Sequence, residues 1–215
     1  MRKNRKLIES LLFLVITILL MISSTFAWLS MDADGEVSDL IMPVGKYQVD
    51  IKLLLSKNNS NFVEVESTED LNTMLSKIVP GDYFDFKIKL VNNSSTSVYS
   101  TIKMGQILNN NSNQDYDMRD VFFIENGFVT IKDNDLIVES LILNTNDTSN
   151  DGFDKFSINK LIDQYNYLFV ANNYILPYQT TYTFEFRLVY DTNTTNVEYQ
   201  LGMIDFNTIT IYFNT

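Results

Sequence analysis

The chain has 215 residues, no cysteine and no histidine, and its 16 basic and 27 acidic residues give a net charge of −11. Without those two residue types there is no Ser-His-Asp triad, no typical zinc site and no disulfide framework, and so acidic a chain is repelled by phosphate backbones. Hydrophobic residues at 45% and aromatics at 13%, against 20% charged, describe a packed domain, long enough for one sizeable β-domain or at most two small ones.

At the start, Arg2, Lys3, Arg5 and Lys6 precede an apolar run from Leu11 to Ile22, followed by Ser23-Ser24-Thr25-Phe26-Ala27. A basic region, a short apolar region and small residues near a cut site predict a signal peptide over 1–27. Thr25 and Ala27 would precede the cut and Trp28 would follow it. The alternative is an uncleaved anchor, since Leu11 to Leu29 approaches a spanning length. Under either reading residues 31–215 lie outside the cell, secreted or at its surface. Four of the bases and one acid, Glu9, fall within 1–27, so the remainder carries −14 instead of −11. Residues 28–43 read as an N-terminal extension and 44–215 as the folded domain.

Beyond that segment, apolar residues recur at every second position. Tyr47, Val49, Ile51, Leu53 and Leu55 share one strand face. Phe84, Phe86, Ile88 and Leu90 alternate with Asp85, Lys87 and Lys89 in the same way. So do Tyr182, Phe184, Phe186, Leu188 and Tyr190 with Thr181, Thr183, Glu185 and Arg187. Such strands have one face on a core and one in water. Further strands are expected over 97–108, 121–131, 136–143 and 203–213, joined by loops rich in Asn, Asp, Ser and Thr. The predicted fold is all-β, an antiparallel two-sheet sandwich with one or two short helices.

One helix is predicted after the capping box Ser67-Thr68-Glu69-Asp70, with Leu71, Met74, Leu75 and Ile78 at helical spacing and a stop at Pro80-Gly81. A second is predicted from Ser157, with Ile158, Leu161, Ile162, Tyr165, Leu168 and Phe169 as its stripe. Both stripes read as cover for a sheet.

Candidates for chemistry are few. Asp147, Ser149, Asp151 and Gly152 fall at the spacing of a calcium loop, but its twelfth position is Ile158 where a bidentate Glu belongs. A polar loop is therefore the reading. Asp115, Asp117 and Asp120 sit in a stretch, Asn109 to Asp120, that reads as an exposed insertion between strands. No phosphate loop or nucleophile elbow is present. The expectation is a protein without enzymatic activity, cofactor or bound metal.

Four passages, in order, resemble the TasA/camelysin family of Gram-positive bacteria. They are the junction Thr25-Phe26-Ala27-Trp28, the strand Val44 to Ile51, and the passage Pro80-Gly81-Asp82 before a strand ending in Asn92-Asn93-Ser94-Ser95. The last is the closing run Tyr182 to Tyr190, Tyr199-Gln200 and Ile209 to Phe213. The segment 105–175 does not align with the family. The resemblance implies export through a SipW-type signal peptidase and a jelly-roll sandwich. It further implies polymerisation into biofilm-matrix fibres, the partners being other copies or related matrix subunits. In such fibres an N-terminal donor strand completes the sheet of the next subunit by β-augmentation. Carried to this chain, Trp28, Leu29 and Met31 would be anchors of that strand, with Val37 and Leu40 adding to it; a flexible spacer over 28–40 is the competing reading. A membrane-tethered monomeric adhesin, or an accessory subunit, is the alternative to a fibre former. Camelysin-like members have been classed as metallopeptidases, an activity that the absence of His and Cys disfavours here.

Overall fold

The computed structural model describes residues 47–76, 78–145, 152–194, 196–200 and 202–214. Among these described residues, ten strands form two antiparallel sheets. The larger contains β1 (Val49–Lys57), β2 (Val63–Glu64), β3 (Tyr83–Asn92), β5 (Phe122–Ile124), β6 (Phe128–Asp133), β7 (Leu136–Ile142) and β9 (Thr181–Tyr190). Its order is β2-β1-β3-β9-β6-β7, with β5 also on β9. The smaller, ordered β10-β4-β8, contains β4 (Val98–Asn110), β8 (Leu168–Leu176) and β10 (Met203–Asn214).

The alternation in the sequence produces the core. Phe84, Phe86, Ile88 and Leu90 of β3 are buried, as are Phe184, Phe186, Leu188 and Tyr190 of β9. Phe86 and Phe186 face each other across the β3–β9 register and stack 4.8 Å apart. The sheets meet through rings: Phe86 lies 6.5 Å from Phe206 of β10, and Tyr174 of β8 lies 5.5 Å from Phe184 of β9. Aromatic contacts of this kind add to the burial of apolar area that holds such a core.

On the wet face of the larger sheet, the alternate residues form ion pairs across neighbouring strands. Arg187 reaches Asp85 at 2.7 Å, and Glu185 lies between Lys87 at 3.0 Å and Lys132 at 2.6 Å. These pairs are partly screened by solvent and individually worth little, but they fix which side chains stand opposite one another.

The ribbon of β4 and β10 reverses its faces midway. Ile102 and Met104 point into the core, yet beyond Gln106 the buried residue is Ile107; on β10, Phe206 and Ile211 are buried on either side of Asn207. Gln106 adopts φ +46, a left-handed conformation inside a strand, and this kink switches the parity.

The first predicted helix forms as α1 (Thr68–Leu75): the Ser67 hydroxyl accepts from the Asp70 N–H at 3.1 Å, and the helix ends at Leu75, short of Pro80. The predicted strand over 121–131 is broken by one 3-10 turn, Glu125–Gly127, in which Asn126 has φ +59. Two helical turns absent from the sequence reading, α2 (Met118–Val121) and α4 (Val197–Gln200), close the ends of strands.

The second predicted helix is corrected. Only α3 (Ile158–Leu161) is helical, Ile162 is extended at ψ 152, and Leu168 and Phe169 begin β8. Asp163 competes for the backbone, accepting from the N–H groups of Tyr165 and Tyr167 at 2.8 and 2.9 Å, and Asn166 takes φ +62. Ser157 stands at the cap position, but its buried hydroxyl makes no capping bond.

Candidate functional site

The residues singled out from the sequence are mostly structural pins. Gly81, at φ +94, forms the turn that enters β3, and its N–H donates to the Tyr190 carbonyl at 2.9 Å. Beside it, buried Asp82 accepts from Asn58 Nδ2 at 2.7 Å and the Val79 N–H at 3.0 Å, and pairs with Lys57 at 2.7 Å. Burial pushes the Asp82 carboxyl up, but the Lys57 and Asn58 hydrogen bonds, the Val79 N–H and the Lys57 charge together hold it below the usual carboxylate range. Pro80-Gly81-Asp82 thus locks the β1, β3 and β9 ends together.

Asn92 is fully buried at the end of β3. Its amide nitrogen reaches the carbonyls of Thr96, Leu176 and Pro177 at 3.0, 3.1 and 2.9 Å, and its oxygen accepts from the Ser94 N–H at 3.0 Å. One side chain therefore ties the β3–β4 turn to the β8–β9 turn, across the two sheets. Tyr199 and Gln200 lie on α4 between β9 and β10. The Tyr199 carbonyl accepts from the Tyr190 hydroxyl at 3.0 Å, and its ring meets Tyr116 edge-on at 5.2 Å.

The expected exposed insertion over 109–120 is instead built into the fold. Asn111 and Met118 are buried, Asp117 caps α2 and pairs with Arg119 at 2.6 Å, and Asp120 accepts from Asn159 at 2.8 Å. Asp115, Asp117 and Asp120 do not converge, and no group of three acidic side chains placed to hold a metal occurs among the described residues. The calcium-loop residues Asp147, Ser149 and Asp151 lie outside the described residues. So do the cut site at Thr25, Ala27 and Trp28 and the donor positions Leu29, Met31, Val37 and Leu40.

Binding chemistry in a sandwich resides largely in its free strand edges, whose unpaired N–H and C=O groups accept a further strand unless they are blunted. Among the described residues, the four terminal strands of the two sheets differ. β2 has only two residues. β10 is covered by α1, where the Asn72 amide donates to the Phe206 carbonyl at 3.1 Å and accepts from the Phe206 N–H at 3.0 Å. β8 is interrupted by two register shifts against β4 and carries Asn173 at φ +52.

The fourth edge, β7, is apolar, and among the described residues no strand covers its outer side. Leu136 is 74% exposed, Ile137 68% and Ile142 78%, and the strand contains neither lysine nor proline. A single register shift separates its pairing at Ile131 from that at Lys132. Between this edge and β8 runs a groove of about 380 Å³, lined by Leu141, Leu143, Leu161, Leu168 and Val170 among others.

One charge interrupts β7. Glu139 pairs with Ile131 in register and is itself exposed, and its carboxylate takes a hydrogen bond from Tyr174 of β8. Burial first, then the Glu139 charge and hydrogen bond, push the Tyr174 hydroxyl up to about 12.

The strand at 136–142 was expected from the sequence, but not its position at an edge. β8 was missed, because its first residues continue a helical stripe; its β-branched and aromatic content over 168–176 was the signal available. A scan against protein-family models finds no match to this chain, and neither a search of curated proteins nor one of solved structures returns a significant match.

Proposed function

We propose that this chain is an exported bacterial structural protein, a subunit of biofilm-matrix fibres that assembles by donor-strand β-augmentation. The observation that carries the reading is the β7 edge: apolar and, among the described residues, unpaired on its outer side, beside a groove that opens between the two sheets. A strand from a second copy would satisfy its free backbone groups and bury its exposed Leu and Ile side chains. The donor is the segment Trp28 to Leu40, freed by cleavage after Ala27. A head-to-tail contact of this kind does not close on itself and so grows as a filament. The jelly-roll connectivity and the likeness to TasA and camelysin proteins belong to the same reading.

A second reading, a membrane-tethered surface adhesin or fibre accessory, is favoured by Glu139. A charged side chain on an edge strand is one of the devices that proteins use against edge pairing. N-terminal sequencing of the exported protein, joined to electron microscopy of the same sample, separates the two. Filaments built of chains that start at Trp28 support the fibre subunit. Chains that start at Met1, held in the membrane without filaments, leave the tethered protein.

A further inference from the structure

The two sheets turn very different outer faces to solvent. The larger is crossed by the ion pairs of Asp85, Lys87, Lys132, Glu185 and Arg187. In the smaller, the only charged residues on all three strands are Lys103 and Asp205, and Asp205 sits beyond the kink, bonded to Asn110 at 2.9 Å. Between Tyr99 and Gly105 the outer face is instead aromatic. Tyr99 and Phe169 are exposed, and Tyr212 is 52% exposed. By register, Tyr212 stands beside Thr101, and Lys103 lies between Thr210 and Phe169.

The single charge is enclosed by rings: Lys103 Nζ lies 4.5 Å from the Tyr167 centroid and 4.9 Å from that of Tyr212. The Tyr167 ring occupies the space where a side chain at position 105 would be, its atoms within 1.7 and 1.9 Å of the place a Cβ would take. A glycine inside a strand weakens it, and here it leaves room for a tyrosine ring against the sheet.

We infer that this face, Tyr99, Tyr167, Phe169 and Tyr212 around Lys103, is a docking platform for a neutral polysaccharide chain. Charge depletion with enrichment in aromatics is the mark of an interface centre. The ring faces offer flat apolar plates to the C–H faces of sugar rings, while the tyrosine hydroxyls and the Thr210 hydroxyl between them meet sugar hydroxyls. Charge selects the occupant. A chain of net charge −11 repels acidic polymers and anionic lipid surfaces, and among the described residues the one cation of this face already lies between two rings. An uncharged polymer meets neither repulsion nor an unpaired charge. From Tyr99 to Gly105 the strand spans ~20 Å, which suits a chain of several linked sugars better than a single one. The platform is on a different sheet from β7; of its residues Phe169 also lines the groove between β7 and β8, while Tyr99, Lys103, Tyr167 and Tyr212 do not.

The test is native affinity electrophoresis of the full chain in detergent, in gels containing hydroxyethyl cellulose or dextran (neutral) or alginate (anionic). The expected result is retardation by a neutral polymer and none by alginate. It should weaken at least tenfold in Tyr212→Ala and in Thr210→Lys, with Lys87→Ala on the opposite sheet unchanged. Both face variants alter solvent-facing positions, and circular dichroism checks that they fold. The proposal is overturned by absence of retardation in either neutral polymer, by retardation that both face variants leave intact, or by stronger binding to alginate. It is equally overturned if the face variants change the sedimentation of the protein alone and not its retardation, which would make the face a contact between copies.

Discussion

The side-chain amide of Asn72 pairs with the backbone of Phe206 as a neighbouring strand would, donating to its carbonyl at 3.1 Å and accepting from its N–H at 3.0 Å. A helix thereby ends the β10 edge of the smaller sheet with a single residue. Asn72→Ala is expected to lower stability by about 1–3 kcal/mol, because both Phe206 groups lose their partner. It should also expose an edge that copies can pair with. Urea denaturation reads the first effect and light scattering the second; a variant as stable and as monodisperse as the parent contradicts the role given to Asn72.

Asn92 should be less tolerant still. Its replacement by alanine leaves the Leu176 carbonyl and the Ser94 N–H without their side-chain partner at a buried position, while the Pro177 carbonyl keeps the Thr180 hydroxyl at 2.7 Å. The expected loss is ~2–4 kcal/mol, since each buried unpaired group costs about 1–3. Asn92→Asp should not rescue it, because a carboxylate cannot donate to those carbonyls. Equilibrium denaturation of the two variants is the check.

The β7 edge makes the opposite prediction. Ile137 is 68% exposed, so Ile137→Lys should change stability by no more than about 0.5 kcal/mol. If β7 accepts a strand, the same change should abolish filaments, as an edge lysine resists pairing. Deleting residues 28–34 from the mature protein should have the same effect by removing the donor. Normal fibres from both proteins would rule out this edge as the acceptor.

At acidic pH, Asp82 contributes through its depressed carboxyl. With its pKa lower in the folded than in the unfolded protein, its contribution is full above the ordinary aspartate value and is lost as pH falls through the folded one. Asp82→Asn should therefore lower stability at pH 7 and flatten its fall as pH drops below about 4. Thermal melts across that interval measure the slope.

At alkaline pH the sign follows from Tyr174. Its hydroxyl is pushed up to about 12, so above the unfolded tyrosine value of about 10 the unfolded chain releases a proton that the folded one keeps. The stabilisation is present below about pH 10 and disappears as pH rises through about 12. Tyr174→Phe should show a shallower fall over this range. Tyr182, Tyr190 and Tyr199, also raised chiefly by burial, leave a residual slope in the variant. Urea midpoints at pH 8 and pH 11 compare the two proteins.

Much of the fold is written locally. The alternation of Phe84, Phe86, Ile88 and Leu90 with Asp85, Lys87 and Lys89 specifies a half-buried strand without reference to the rest of the chain, and Ser67 marks its helix start through a bond three residues away. Where two local preferences compete, the reading fails. The stripe from Ile158 to Phe169 has helical spacing, but Asp163 turns the backbone, and pairing with β4 draws Leu168 and Phe169 into a strand. The candidate sites lie still further from local reach. No feature of Leu136 to Ile142 says that it has one neighbour rather than two. Nothing at Asn72 names Phe206, 134 residues away, as its partner. Periodicity decides which face of a strand is dry, because that depends on the strand's own side chains. Which edge stays open, and which outer face lacks charge, depends on how distant strands pair and what covers them, and only the tertiary structure decides that.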